Sequence, residues 1–347
     1  MLEQSSSGGR GGFSLLGTRS LRRLTSAIGA GALLSVSVFA GQAGATQSVR
    51  ATIAVGKAPG CIAVNPSAHV AYVTNYGSGS VKGTISVLNE TTNQVKATWS
   101  AGTNPAAVAY DTVNNLLYVA NVDGHPTSTT QGYVSVLNAT SGARVATIGG
   151  MMNPWGVAVN AKTNTVYVAN SGGWLSVIKG STNTVTKKIL IPGAQYVAVD
   201  GATNTIYVVQ GFGGSVVWVI NGATNQLTTT ITVGSNLGGV AVNPLTNTIY
   251  VANGGSNAVA VIDGATNQVT TSITVGAWPL GVAINTATEK LYVTNSGEKT
   301  VSVINASTNQ VMTSLSVGKY PGLLDIDPKI NKIFVPNSGV NSVSVIS

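Results

Sequence analysis

Residues 248–276 read "TIYVANGGSNAVAVIDGATNQVTTSITVG". The apolar residues come in short bursts, charges are nearly absent, and Gly, Asn and Thr fill the gaps. β-Branched residues dominate the bursts, and the last burst alternates apolar with Thr or Ser, as a strand with one solvent face does. With the preceding "GVAVN", the stretch predicts four strands: A over 239–243, B over 248–253, C over 258–263 and D over 268–276. The connecting "NPLTN" and "DGATN" supply residues that hold the backbone angles of tight hairpins.

The phrase recurs. Its B strand is repeated at Tyr72-Val73-Thr74-Asn75, Tyr118-Val119-Ala120-Asn121, Tyr167-Val168-Ala169-Asn170, Tyr207-Val208-Val209-Gln210, Tyr250-Val251-Ala252-Asn253, Tyr292-Val293-Thr294-Asn295 and Phe334-Val335-Pro336-Asn337. The spacings are 46, 49, 40, 43, 42 and 42 residues. A period in this range with several short strands per unit is the signature of propeller blades. The last copy stops at "NSVSVIS", which supplies a strand C and no strand D. The segment 47–56, "QSVRATIAVG", reads as a strand D with nothing before it. The two ends therefore complete one blade between them, which removes the exposed edges of an open array. The expected fold is an all-β, seven-bladed propeller with four antiparallel strands per blade, closed by the N-terminal strand.

Composition agrees. Of 347 residues, 44% are hydrophobic, 8% are charged and 42 are glycine, which excludes a disordered chain. The single cysteine, Cys61, excludes an intrachain disulfide and a cysteine-rich zinc site; it reads as a small core residue. The net charge is +8, but no dense Lys/Arg cluster marks a nucleic-acid groove.

Residues 19–45, "RSLRRLTSAIGAGALLSVSVFAGQAGA", order a basic region, a short apolar run and small residues at Ala43 and Ala45. This reads as a secretory signal peptide cut after Ala45, with an uncleaved anchor as the competing reading and Arg22–Arg23 as a weak twin-arginine feature. The expected organisation is a signal over 1–45 and a propeller over 46–347, placed in the periplasm, at the cell surface or in the medium.

The "YVAN/YVTN" phrase, the "VGxxPxGVAV" approach to strand A and the "DGATNQV" hairpin resemble the YVTN family of β-propeller repeat proteins, which includes periplasmic proteins of the YncE type and surface-layer proteins. The resemblance covers about residues 47–347. It implies export and a binding surface. It implies no single reaction, because related propellers include lactonases, lyases, DNA binders and scaffolds.

Antiparallel strands put the D–A and B–C loops on one face and the A–B and C–D turns on the other. The D–A loops carry Trp155, Tyr196, Trp278 and Tyr320; Phe212 and Trp174 lie in B–C loops or at their edges. Such a ring suits stacking on a sugar, a peptide or a flat ligand, or else plugs the channel. The middle of strand A reads Ala63, Ala109, Ala158, Ala198, Ala241, Ala283 and then Asp325. A carboxylate there is a candidate general acid/base or ligand of a channel-bound divalent cation; the competing reading is a hydrogen-bonded Asp that fixes the closing blade. Asp123 and His125 share the longest B–C loop and form a second acid/base candidate. His69 lies on the opposite face, so the two histidines cannot share a metal, and no metal-ligand set is evident. Lys57, Lys82, Lys299 and Lys319 all fall in D–A or B–C loops. The Asn and Asp residues that end each strand A are expected to bond to their own turns. The expectation is a non-catalytic binding scaffold for a cell-envelope protein or a glycan. A lactonase- or lyase-like enzyme at the channel mouth is the first alternative and polyanion (DNA) binding the second.

Overall fold

The computed structural model describes residues 47–78, 82–122 and 132–347. Among them there is no helix, and the strands form seven sheets of four antiparallel strands each. In blade 5 the strands are Leu237–Asn243, Thr248–Asn253, Ala258–Asp263 and Gln268–Thr274. Strand A thus starts two residues before its sequence reading and strand D ends two residues before.

The closing blade is built from both ends of the propeller. Its A, B and C strands are Asp325–Asp327, Lys332–Asn337 and Ser342–Ile346, and its D strand is Val49–Ala54. The join reproduces the repeat in detail. Every complete blade has a register shift between strands C and D, as between Val261 and Ile262 in blade 5. The same shift falls between Val49 and Ala51 where the two ends pair. Such bulges increase local twist, so the composite blade twists like the others. Its strand A spans three residues. Pro336 of the facing strand has no N–H to extend the ladder, and Leu323 instead bridges in parallel to Cys61 of blade 1.

The core lies between blades, with one apolar cluster at each of the seven junctions. The B-strand aromatics Tyr72, Tyr118, Tyr167, Tyr207, Tyr250, Tyr292 and Phe334 are all buried there. Two of the hydroxyls donate into the next blade: Tyr72 to the Ala139 carbonyl (2.7 Å) and Tyr118 to Asn183 Oδ1 (2.6 Å). The Asn that ends strand B is buried too. In blades 1, 2, 3, 6 and 7 its Nδ2 donates to the strand C serine, as from Asn295 to Ser302 (2.9 Å). In blade 5 the serine is Ala260, and Asn253 turns to the Val233 carbonyl (3.3 Å). This Asn also explains the glycine that ends the "TVG" phrase. A Cβ on Gly276 would sit 2.7 Å from Asn295 Cγ, and one on Gly56 2.6 Å from Asn75 Cγ, so glycine lets each D strand close on the following blade.

At the far ends of the A strands, all seven Asx residues cap their own turns, for example Ala202 N–H to Asp200 Oδ1 (2.8 Å) and Lys329 N–H to Asp327 Oδ1 (2.8 Å).

Candidate functional site

The D–A turns aim side chains at the channel mouth. The residue before strand A in five blades, and its counterpart Tyr320 ahead of Pro321 in the closing blade, adopts a left-handed conformation, with φ between 51° and 55° at Ala58, Asn104, Asn153, Asn236, Trp278 and Tyr320. Asn takes these angles readily, whereas bulky side chains do so at a cost. Trp278 and Tyr320 hold them while 51% and 53% exposed, so burial does not offset the strain.

Four of the six aromatics singled out in sequence converge. Trp155, Tyr196, Phe212 and Tyr320 line one hollow of about 340 Å³, with Tyr76, Leu280, Leu323 and the prolines Pro59, Pro105 and Pro321. Phe212 is 66% exposed; its N–H donates to Gln195 Oε1 (3.1 Å), which fixes the B–C turn of blade 4 beside the hollow. Tyr196 and Leu323 also line a second cavity of about 130 Å³, ringed by inner-strand residues such as Cys61, Val157, Val240 and Val282. The mouth therefore leads to a smaller throat whose side chains are mostly apolar and whose polar lining comes largely from the backbone. Serine and tyrosine hydroxyls and the Trp155 indole N–H are the polar side-chain groups among the described lining residues, which include no carboxylate, imidazole or amine. Burial raises the Tyr196 phenol pKa, so it stays protonated. Such a surface can stack on and hydrogen-bond to a neutral ligand.

Trp278 and Trp174 do not line the hollow. Trp278 lies over Gly254 and Gly297 of the blade 5 and 6 loops, and Trp174 starts strand C of blade 3, paired with Asn170 and Leu190. Lys57 and Lys319 are exposed, with Lys319 Nζ 4.9 Å from the Tyr320 ring centroid. Asp123 and His125 lie outside the described residues. Asp325 does not line the hollow either. Its carboxylate accepts from the N–H of Val64 in blade 1 and of Ile326, both at 2.8 Å; burial nevertheless pushes its pKa up to about 6. Burial also pushes the Cys61 thiol up to about 12, so it is a protonated wall of the throat.

The sequence reading did not single out Tyr76, although an aromatic directly after the B-strand Asn occurs in blade 1 alone. It also missed a polar cluster on the opposite face, where blade 7 meets blade 1. There His69 Nδ1 lies 3.6 Å from Asp327 Oδ2 and 3.9 Å from Glu90 Oε2, with both acids fully buried. Phe334 lacks the tyrosine hydroxyl of the other blades, and Lys332 replaces it. Its Nζ donates to the Glu90 carbonyl and to Asn93 Oδ1, as Tyr118 does to the Gly180 carbonyl and Asn183. Burial, then the neighbouring Asp327, pushes the Glu90 carboxyl up to about 9.

The fold and mouth define a seven-bladed β-propeller with an aromatic opening on its D–A face. No protein-family model and no curated protein matches the chain. Among solved structures it is similar to Kuenenia stuttgartiensis hydrazine synthase, with a TM-score of 0.71 and 18% identity over 83% of this chain and 95% of that one. At this identity the likeness concerns the fold alone.

Proposed function

We propose that this chain is an exported propeller of the YVTN type, released from its signal after about Ala45, that binds a glycan of the cell envelope without transforming it. The observation that carries the reading is the convergence of Trp155, Tyr196, Phe212 and Tyr320 on one hollow whose described lining holds no acid or base. Faces of sugar rings are apolar and their edges polar, which matches stacking rings flanked by hydroxyls. Engagement of Asp325 by two backbone amides weighs against a hydrolytic role at the mouth.

Isothermal titration of the chain with cellohexaose, chitohexaose and maltohexaose tests this. At least one is expected to bind, and Trp155→Ala or Phe212→Ala to weaken it about tenfold, the size of one lost stacking contact. No binding to any of the three, or affinity unchanged by both substitutions, contradicts the reading. A second reading, polyanion binding, draws on the placement of Lys57, Lys82, Lys299 and Lys319 in loops of this same face. It requires a short DNA duplex to bind with steep salt dependence.

The strained angles give a further expectation. Tyr320→Asn relieves the left-handed aromatic and is expected to stabilise the chain by about 1 kcal/mol while weakening oligosaccharide binding. Urea unfolding and the same titration check the two signs.

A further inference from the structure

We propose that His69, Glu90 and Asp327 hold a divalent metal ion at the junction of the last and first blades, on the face opposite the aromatic mouth. One ligand atom from each lies within 4.8 Å of the other two. The imidazole-to-carboxylate separations of 3.6 and 3.9 Å are too long for good hydrogen bonds. They are close to the roughly 3.4 Å between two ligands that share one tetrahedral ion at about 2.1 Å.

An independent observation points to a ligand. Glu90 and Asp327 are 0% exposed, yet both Glu90 carboxylate oxygens and Asp327 Oδ2 have no hydrogen-bond partner. Buried carboxylate oxygens without donors are costly, and a cation would satisfy all three. The nearby lysines are engaged elsewhere. Lys332 Nζ is anchored on the Glu90 carbonyl and Asn93, and Lys329 Nζ on Ser67 Oγ (3.3 Å). Asp325, the remaining acid nearby, is bonded to its two amides.

The repeat shows that this junction departs from the others. His69 stands where other blades have Asn115, Asn164, Asn204, Asn247, Glu289 and Asn331. Glu90 stands where they have Ala139, Gly180, Gly222, Gly264 and Ala306. At two other junctions the contact is an amide pair, from Asn160 Nδ2 to Asn204 Oδ1 (2.7 Å) and from Asn285 Nδ2 to Asn331 Oδ1 (2.8 Å). At the closing junction that position is Asp327, an acid as Asp111 and Asp200 are in blades 2 and 4, but here an imidazole and a second buried acid, Glu90, face it. One nitrogen and two carboxylates suit zinc or manganese, and the 47% exposed side chain of His69 leaves a side open for water. The ion would tie strand A of blade 7 to two turns of blade 1.

The test uses the untagged chain, stripped with EDTA and dialysed against ZnCl2 or MnCl2. Bound metal is measured by mass spectrometry and the melting temperature by calorimetry. About one ion per chain is expected to remain, with a melting temperature about 5 °C above the stripped protein. His69→Asn and Glu90→Ala install residues that other blades already use, so both should fold, and both should lose the ion and the shift. Asp123→Asn/His125→Asn should keep them. Failure to retain either metal, or retention unchanged in both junction variants, overturns the proposal; the two carboxyls would then simply share a proton.

Discussion

Replacing Tyr118 by alanine will destabilise the chain by about 3–5 kcal/mol, the range for an aromatic removed from a close-packed core. Tyr118 is fully buried and packs with Leu116, Val134, Val136 and Met151 of blade 2 and with Val166, Val168 and Ile178 of blade 3. The cavity would open between two sheets whose separation is fixed by the rest of the ring, so collapse around it is restricted. Tyr118→Phe isolates the hydroxyl, which donates to Asn183 (2.6 Å), and should cost about 1 kcal/mol. The fully buried Phe334 shows that a phenyl ring fits the equivalent site in the closing blade. Urea unfolding of both variants checks the ordering. Equal losses would mean that the hydroxyl, not the packing, dominates.

Ile53→Asp should be at least as damaging, by about 4 kcal/mol or more, and should differ in kind. Ile53 belongs to the N-terminal strand and packs with Val343, Val345 and Phe334 of blade 7 and with Leu88 of blade 1. The substitution combines a lost isoleucine side chain with a carboxylate placed in an apolar cluster. It also acts where the strand is not held by a hairpin to its partner, so detachment exposes the edge of Ser342–Ile346 to other molecules. Ile273→Asp makes the same change in blade 5, whose D strand is tethered by a hairpin to Ala258–Asp263. The Ile53 variant should therefore associate more strongly at equal concentration, as measured by light scattering. Equal association of the two would contradict a special role for the joined ends.

The repeat made the strands legible because strand pattern and turn chemistry are local, and seven copies average out irregularities in any one. Closure was legible because the missing D strand of the last copy matched the orphan strand at 47–56. The site was legible in composition and not in membership. Trp155 and Trp278 both flank the proline that opens a strand A, yet only Trp155 of the two lines the hollow: it follows Pro154 inside the strand, whereas Trp278 precedes Pro279 and lies over the glycine loops of blades 5 and 6. The junction cluster was visible only as separate substitutions in the repeat. His69 and Glu90 come from two turns of blade 1 and Asp327 from the end of strand A of blade 7, far apart in the sequence, and only the closed ring brings them together. The exchange of a tyrosine hydroxyl for Lys332 beside Phe334 has the same origin.

Amide hydrogen exchange along Val49–Ala54 tests the closed ring most directly. If the N-terminal strand completes the last blade, its hydrogen-bonded amides exchange as slowly as their counterparts in Gln268–Thr274 of blade 5. Exchange of Val49–Ala54 at the rate of an unstructured chain, with Gln268–Thr274 still protected, would contradict the closure on which both the mouth and the junction site depend.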